Sequence, residues 1–195
     1  MGIYFKKGMQ FETVNGRTVV YTDGACINNG RQNPSAGFGV YWGPGHRLNA
    51  AEPVNGKATN NVGEIQGAIY AIETAIQYRI ERLLIRTDSA FLLNAATKWI
   101  YRWCNNGWRT YNGNIVRNVE DFQNLLELLY CVDVEFVSYR IICNFINKFC
   151  LQEKVKGHNG IGGNIESDRL ANEGSYKYNN GRACYIGFSG FAVAC

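Results

Sequence analysis

The chain has 195 residues, 46% of them hydrophobic and 18% charged, which suits one globular domain with a core and argues against wholesale disorder. Its net charge of +4 permits a polyanionic partner without requiring one. No apolar run reaches the ~18 residues that a membrane span needs. The seven cysteines form no Cys-x-x-Cys pair, and no secretory signal pattern is present. We therefore expect no membrane association and no zinc ribbon. We expect free thiols in an intracellular protein of the nucleus or cytoplasm, with the mitochondrion as the alternative.

Strand patterns dominate the first third of the chain. Residues 1–18 show no clear period and are interpreted as a leader. The segment "RTVVYTDGA" is apolar and β-branched and stops at Asp-Gly, which predicts a strand that ends in a turn. The segment "NPSAGFGVYWGPG" predicts a second strand, and "RLNAAEPVNGKATN" predicts a third strand followed by a loop.

Helical periods begin near Asn60. From there to Tyr78, apolar residues recur at spacings of three and four, which indicates one buried helix face: Ile65, Ala68, Ile69, Ile72 and Ile76. Then follow a strand ("ERLLIRTDS"), two helices ("FLLNAATKWIYRWCNNGW" and "VEDFQNLLELLY"), a strand ("VDVEF") and a short helix ("GGNIESDRLANEGS"). This order predicts a mixed α/β layer fold with parallel crossovers in its later half.

Five polar residues are candidates for an active site, although their spacing alone does not bring them together. Asp23 and Asp88 each follow a Thr at a predicted strand end, and Glu64 and Asp168 lie near the starts of predicted helices. His158 lies in a Gly-rich loop. Each has an ordinary alternative: turn or cap for the aspartates, helix-dipole partner for the helical acids, surface residue for the histidine. Four acids brought together would need compensating charge, and all-oxygen ligands favour Mg²⁺ or Mn²⁺ over zinc.

Several segments together resemble type-1 ribonuclease H, which cuts the RNA strand of RNA–DNA hybrids. They are "YTDGACINNGRQNPSAGFGVYWGPGHRLNAA", "ATNNVGEIQGAIYAIETA", "IRTDSAFLLNAATKWIYRWCNNGWRT" and "KGHNGIGGNIESDRLANEG", in the order that the family has them. The resemblance covers residues 19–176. It implies a catalytic domain with the ribonuclease H-like fold, whose five-stranded mixed sheet has three antiparallel strands, then two parallel ones, flanked by helices.

The resemblance also implies a role for individual residues. Four acids would hold two Mg²⁺ ions, with Mn²⁺ as a substitute: Asp23, Glu64, Asp88 and Asp168. His158 would be the catalytic histidine near the leaving group. Three residues match positions that read the RNA strand, whose 2′-hydroxyls distinguish it from DNA: Asn29, Asn60 and Asn61. Five match DNA-strand contacts: Lys57, Thr59, Trp99, Trp103 and Asn118. The two tryptophans are four residues apart, so plain core packing is their alternative.

The implied function is that of a monomeric endonuclease that leaves 5′-phosphate and 3′-hydroxyl ends on a hybrid substrate. Two alternatives are a hybrid-binding protein that does not cut, and another nuclease or integrase of the same fold. Two departures from the family pattern matter. Val62 and Gly63 replace the usual Arg-Ala before the glutamate, which is expected to loosen the helix start. Cys104 and Asn105 replace lysines, which predicts weaker and less salt-dependent binding.

The segment 137–152, "VSYRIICNFINKFCLQ", is absent from the family pattern. Without it the chain reads "DVEFEKVKGH", which has the family's spacing from strand to histidine. Val-Ser can be encoded GTAAGT and Phe-Cys-Leu-Gln TTTTGTTTGCAG, the two ends of a spliceosomal intron. We therefore interpret the segment as translated intron; a genuine inserted helix is the alternative. This insertion is also what favours the non-cutting alternative for this chain. Residues 177–195 form a tail of unknown role.

Overall fold

The computed structural model describes residues 2–6, 9–138 and 161–178. Seven strands and five α-helices lie within these ranges, and a π-helical turn, Ala95–Trp99, joins the second helix to the third. The strands are β1 Gly2–Lys6, β2 Met9–Val14, β3 Arg17–Ile27, β4 Ser35–Tyr41, β5 Ala50–Pro53, β6 Arg82–Thr87 and β7 Asp133–Ser138. The helices are α1 Asn60–Gln77, α2 Ala90–Asn94, α3 Ile100–Asn105, α4 Val119–Leu129 and α5 Ile161–Tyr176.

All seven strands form one mixed sheet. Strands β1 to β5 pair antiparallel in sequence order, while β6 pairs parallel with β3, and β7 pairs parallel with β6. The predicted arrangement of three antiparallel and two parallel strands is therefore confirmed in β3 to β7. Among the described helices, none is both long and apolar enough to cross a membrane.

The sheet is larger than predicted because the stretch interpreted as a leader contributes the hairpin β1–β2. Asn15 and Gly16 connect β2 to β3 with φ values of 50° and 74°, as a two-residue hairpin turn requires. Phe11 on β2 is fully buried, and its ring contacts Trp42 with 5.8 Å between centroids. Strand β2 is thus part of the core, and the Asn-Gly pair is the sequence signal that predicts its hairpin with β3.

Helices cover both faces of the sheet. The predicted apolar face of α1 packs on one face, where Ile65, Ala68 and Ile72 are fully buried. On β4, a Cβ added to Gly37 or Gly39 would overlap the backbone of α5, so α5 covers the opposite face at very short range. Lys177 continues this contact by donating from Nζ to the carbonyl of Ala51 at 2.7 Å.

Gly63 does not loosen the start of α1, contrary to the expectation from the sequence. Thr59 caps the helix by accepting from the backbone N–H of Val62. A Cβ on Gly63 would stand 2.5 Å from the carbonyl oxygen of Gly37 and 3.0 Å from the Cα of Gly24. The missing side chain therefore lets α1 approach the sheet closely, and burial outweighs the poor helix propensity of glycine.

Candidate active site

Three carboxylates meet at the sheet. Asp23, Glu64 and Asp88 each offer one oxygen, and these oxygens all lie within 4.8 Å of one another. Asp88 directly follows the end of β6, and Glu64 lies in the second turn of α1. Asp23 differs from the prediction: β3 continues through it to Ile27, because antiparallel pairing with β4 outweighs the turn preference of Asp-Gly. On its other edge β3 pairs with β6 only as far as Tyr21, so Asp23 lies just beyond that pairing.

Few hydrogen-bond donors among the described residues contact the three carboxylates. Asp23 and Glu64 are 7% and 4% exposed. The backbone N–H of Gly24 donates to Asp23 Oδ1 at 2.8 Å, and the Asn60 side-chain amide lies 3.5 Å from Glu64 Oε1. Glu64 Oε2 is buried and makes no hydrogen bond to any described residue. Ser89 lowers the pKa of the Glu64 carboxylate, but the effect of burial, which raises this pKa, is larger. A buried carboxylate oxygen without a donor is suited to a cation.

The pKa values of the cluster reflect this arrangement. Burial, followed by the neighbouring charges of Asp23 and Asp88, raises the pKa of Glu64 to about 9. Burial, followed by the charge of Asp88, raises the pKa of Asp23 to about 7. Without a cation the site therefore retains protons near neutral pH. The oxygen-only donor set fits a divalent ion such as Mg²⁺ or Mn²⁺, whose charge would compensate the carboxylates.

Asp168 lies outside this group of three. It is exposed on α5, and its Oδ1 accepts from the Asn172 side chain at 3.1 Å. Its charge nevertheless contributes to the raised pKa of Asp23, behind the larger effects of burial and Asp88. Among the other sequence predictions, His158 lies outside the described residues, as does segment 139–152. Val137 and Ser138 belong to β7 and pair with Arg86 and Thr87.

A groove of about 870 Å³ brings together all eight residues predicted to contact nucleic acid. They are Asn29, Lys57, Thr59, Asn60, Asn61, Trp99, Trp103 and Asn118. Asn60 belongs both to the groove and to the surroundings of Glu64, so the groove adjoins the carboxylates. Asn118 has φ 59° and does not cap α4 with its side chain, which leaves its amide available to the groove.

The tryptophans combine packing with exposure to the groove. Trp99 and Trp103 have ring centroids 5.7 Å apart, and Trp103 contacts the buried ring of Phe122 at 5.1 Å. Both indoles are half-buried against the core and also line the groove. The packing alternative and the groove alternative are therefore both realised. Phe91 lines the groove beside them and was not predicted, although it lies eight residues before Trp99 on the same helical segment.

Comparison with known proteins agrees with this geometry. The family model for RNase H matches residues 15–176. Ribonuclease H1 of Rattus norvegicus is 42% identical over 165 residues, which are 85% of this chain and 52% of the relative. Ribonuclease H of Clostridium botulinum is 30% identical over 84% of this chain and 98% of the relative. The chain thus spans about half the length of its rat relative and nearly all of the bacterial one.

Solved structures agree on the fold. The solution structure of the PFV RNase H domain superimposes with a TM-score of 0.62 at 22% identity, and the match covers 83% of this chain and 95% of that domain. At this identity the likeness concerns the fold alone. Together with the family match over residues 15–176 and the identity to named ribonucleases H, it shows that this chain belongs to the RNase H family.

Proposed function

We propose that this chain is an endonuclease that hydrolyses the RNA strand of RNA–DNA hybrids and leaves 5′-phosphate and 3′-hydroxyl ends. The observation that carries the proposal is the meeting of Asp23, Glu64 and Asp88 beside a groove that holds all eight predicted strand contacts. The relatives named Ribonuclease H support it. The bacterial relative is matched over 98% of its length, so this chain contains a region as large as that whole protein.

Two Mg²⁺ ions are proposed as cofactors, with Mn²⁺ as a substitute, held by Asp23, Glu64, Asp88 and Asp168. When bound, such ions supply the positive charge that activates a water and stabilises the departing 3′-oxygen. The carboxylates contribute their oxygens and their negative charge, which the ions relieve. The buried Glu64 Oε2, which has no donor among the described residues, supports this assignment. His158 is proposed to act near the leaving group.

The groove residues would bind and orient the two strands. Asn29, Asn60 and Asn61 are proposed to read the 2′-hydroxyls of the RNA strand, the only feature that distinguishes it chemically from DNA along its backbone. Lys57, Thr59 and Asn118 are proposed to hold a phosphate of the DNA strand. Trp99 and Trp103 offer ring faces or edges on which a sugar or base can pack.

Replacing Asp23 with asparagine tests the function. The variant should lose Mg²⁺-dependent cleavage of a labelled hybrid while hybrid binding stays measurable, because the groove is unchanged. Duplex DNA and duplex RNA should resist the wild-type protein. Asp133→Asn is the matched control, because Asp133 is exposed and its partners, Arg17 and Arg82, lie outside the groove. Comparable cleavage by Asp23→Asn would refute the assignment.

The same assay separates the alternative function. Binding of the hybrid by the wild-type chain without any cleavage would indicate a hybrid-binding protein, in which the segment between β7 and His158 impairs catalysis. Sequencing of spliced messenger RNA across codons 137–152 tests the origin of that segment. We also propose an intracellular monomer. The free thiols of Cys26, Cys104 and Cys131 are consistent with a reducing compartment, and analytical ultracentrifugation tests the monomer.

A further inference from the structure

The charged residues that line the groove are all positive. Its lining includes Arg31, Lys57 and Arg117 but no aspartate or glutamate. All three cations are exposed, and within the described ranges none pairs with a carboxylate. Two of the three, Arg31 and Arg117, have no role in the proposed function above. An exposed cluster of unpaired cations in a groove attracts polyanions.

Several arginines outside the groove pair with carboxylates. Arg17 Nη2 lies 2.9 Å from Asp133, Arg86 Nη1 lies 3.0 Å from Glu12, and Arg169 Nε lies 2.9 Å from Glu166. Ion pairs therefore form elsewhere on the described domain, whereas the three groove cations have no carboxylate partner among the described residues. The missing anions would be supplied by a ligand.

Arg117 belongs to a run of five consecutive residues, 114–118, that all line the groove. Val116 is buried, and its N–H donates to the carbonyl of Trp108 at 2.9 Å, so the chain is fixed immediately before Arg117. Asn118, which follows Arg117, adopts a left-handed conformation with φ 59°, and both residues line the groove. Arg117 thus lies beside the residue proposed to hold a DNA phosphate.

Arg31 lines the same groove near a residue proposed to read RNA. It follows Asn29 by two positions in the loop between β3 and β4. The N–H of Arg31 donates to the carbonyl of Asn28 at 2.8 Å, and Asn28 has φ 55°, so a tight turn holds the arginine at the groove. Arg31 and Arg117 therefore emerge from two separate hydrogen-bonded turns and not from one flexible segment.

We propose that Arg117 binds a backbone phosphate of the DNA strand and Arg31 a backbone phosphate of the RNA strand. The guanidinium fork can donate two parallel hydrogen bonds to one phosphate, which a lysine cannot do. These contacts would restore part of the salt-dependent affinity that Cys104 and Asn105 remove from the helix α3. The proposal rests on the proposed function only in that the groove accommodates a hybrid.

Binding to a labelled hybrid, measured without divalent ions over a range of salt concentrations, tests the proposal. Arg117→Gln and Arg31→Gln should each weaken binding about tenfold at low salt. Each should also reduce the slope of log K against log salt by about 0.7–0.9, the value for one phosphate contact. Arg117→Lys should keep the slope. Arg82→Gln is the control, because it removes an equal charge that lies outside the groove and pairs with Asp133.

Neutral linkages identify the strand. A methylphosphonate placed at the contacted position of the DNA strand should weaken binding by the wild-type protein, and Arg117→Gln should then weaken binding no further. A methylphosphonate at the contacted position of the RNA strand should have the same effect on binding and on Arg31→Gln. Unchanged slopes in a protein that binds and cuts would overturn this proposal alone. Reduced slopes in a protein that binds without cutting would support it and refute the proposed function. A wild-type protein that does not bind the hybrid would overturn both.

Discussion

Replacing Glu64 with glutamine should stabilise the metal-free protein at alkaline pH and abolish cleavage. The ionised carboxylate is 4% exposed, and one of its oxygens has no hydrogen bond to a described residue. Glutamine has nearly the same shape but no charge, so it avoids the desolvation and the repulsion from Asp23 and Asp88 that raise the pKa of Glu64. Stability and proposed activity would thus change in opposite directions.

The magnitude follows from linkage. The pKa of Glu64 is about 9 in the folded protein and about 4.3 in an unfolded chain, so between these values the folded state holds more protons. Stability is therefore fully present below about pH 4 and is lost as the pH rises towards 9. Between pH 5 and pH 8 the full loss would be about 4 kcal/mol, at about 1.4 kcal/mol per unit. Because Asp88 is half-exposed and admits water, we expect about 2 kcal/mol.

Urea denaturation at pH 5 and pH 8, in EDTA and in Mg²⁺, measures this difference. In EDTA the wild-type protein should lose at least about 2 kcal/mol between the two pH values. Glu64→Gln should lose less, and the loss that remains should come from Asp23, whose raised pKa of about 7 is caused mainly by burial and by Asp88. Mg²⁺ should restore the wild-type protein at pH 8 and affect the variant less, since a ligand stabilises only the state that binds it. The exposed Glu81→Gln is the control. Wild-type stability that is equal at pH 5 and pH 8 in EDTA would refute the reasoning.

Three further substitutions test the packing that positions the site. Glu12→Gln should cost about 2 kcal/mol in urea denaturation, because it leaves Arg86 buried without its anion, and adding Arg86→Met should recover at least about 1 kcal/mol. Phe11→Ala should cost about 3 kcal/mol, since the ring is fully buried; a loss below about 1 kcal/mol would show that β2 is not part of the core. Gly39→Ala should reduce hybrid cleavage at least tenfold, because its methyl group would overlap a carbonyl oxygen of α5, whereas Gly162→Ala has open space and should leave cleavage unchanged.

The predictions from sequence succeeded where a residue's neighbours along the chain determine its environment. Glu64 was assigned to the site through the family resemblance, and its burial on α1 together with the apolar face of that helix agrees with the assignment. Asp88 could be placed because β6 is a short apolar run with a clear end. The parallel pairing of β6 with β3 then brings the regions of Asp23 and Asp88 together. The groove residues followed from the family resemblance, and the loops that carry them do converge.

The predictions failed where the environment depends on distant backbone. The Asp-Gly pair at 23–24 predicts a turn locally, but pairing with β4 keeps β3 extended. Gly63 has a low helix propensity, but the absence of a side chain there allows α1 to lie close to Gly37. The position of Arg117 at the groove is fixed through the hydrogen bond between Val116 and Trp108, which no periodicity reveals. The π-helical turn at Ala95–Trp99 was likewise not predicted from the sequence.

The close packing of α5 on the sheet affects how far the length of the preceding chain segment can vary. Gly37 and Gly39 admit the helix against β4, Ser35 donates its hydroxyl hydrogen to the carbonyl of Ser175, and Gly163 lies directly against the ring of Tyr21. These contacts hold the helix at both ends and in the middle. The location of Asp168 is consequently dictated by local complementarity and not by the length of chain that leads to it. Evolution or splicing could lengthen or shorten that connection while the last acid keeps its place.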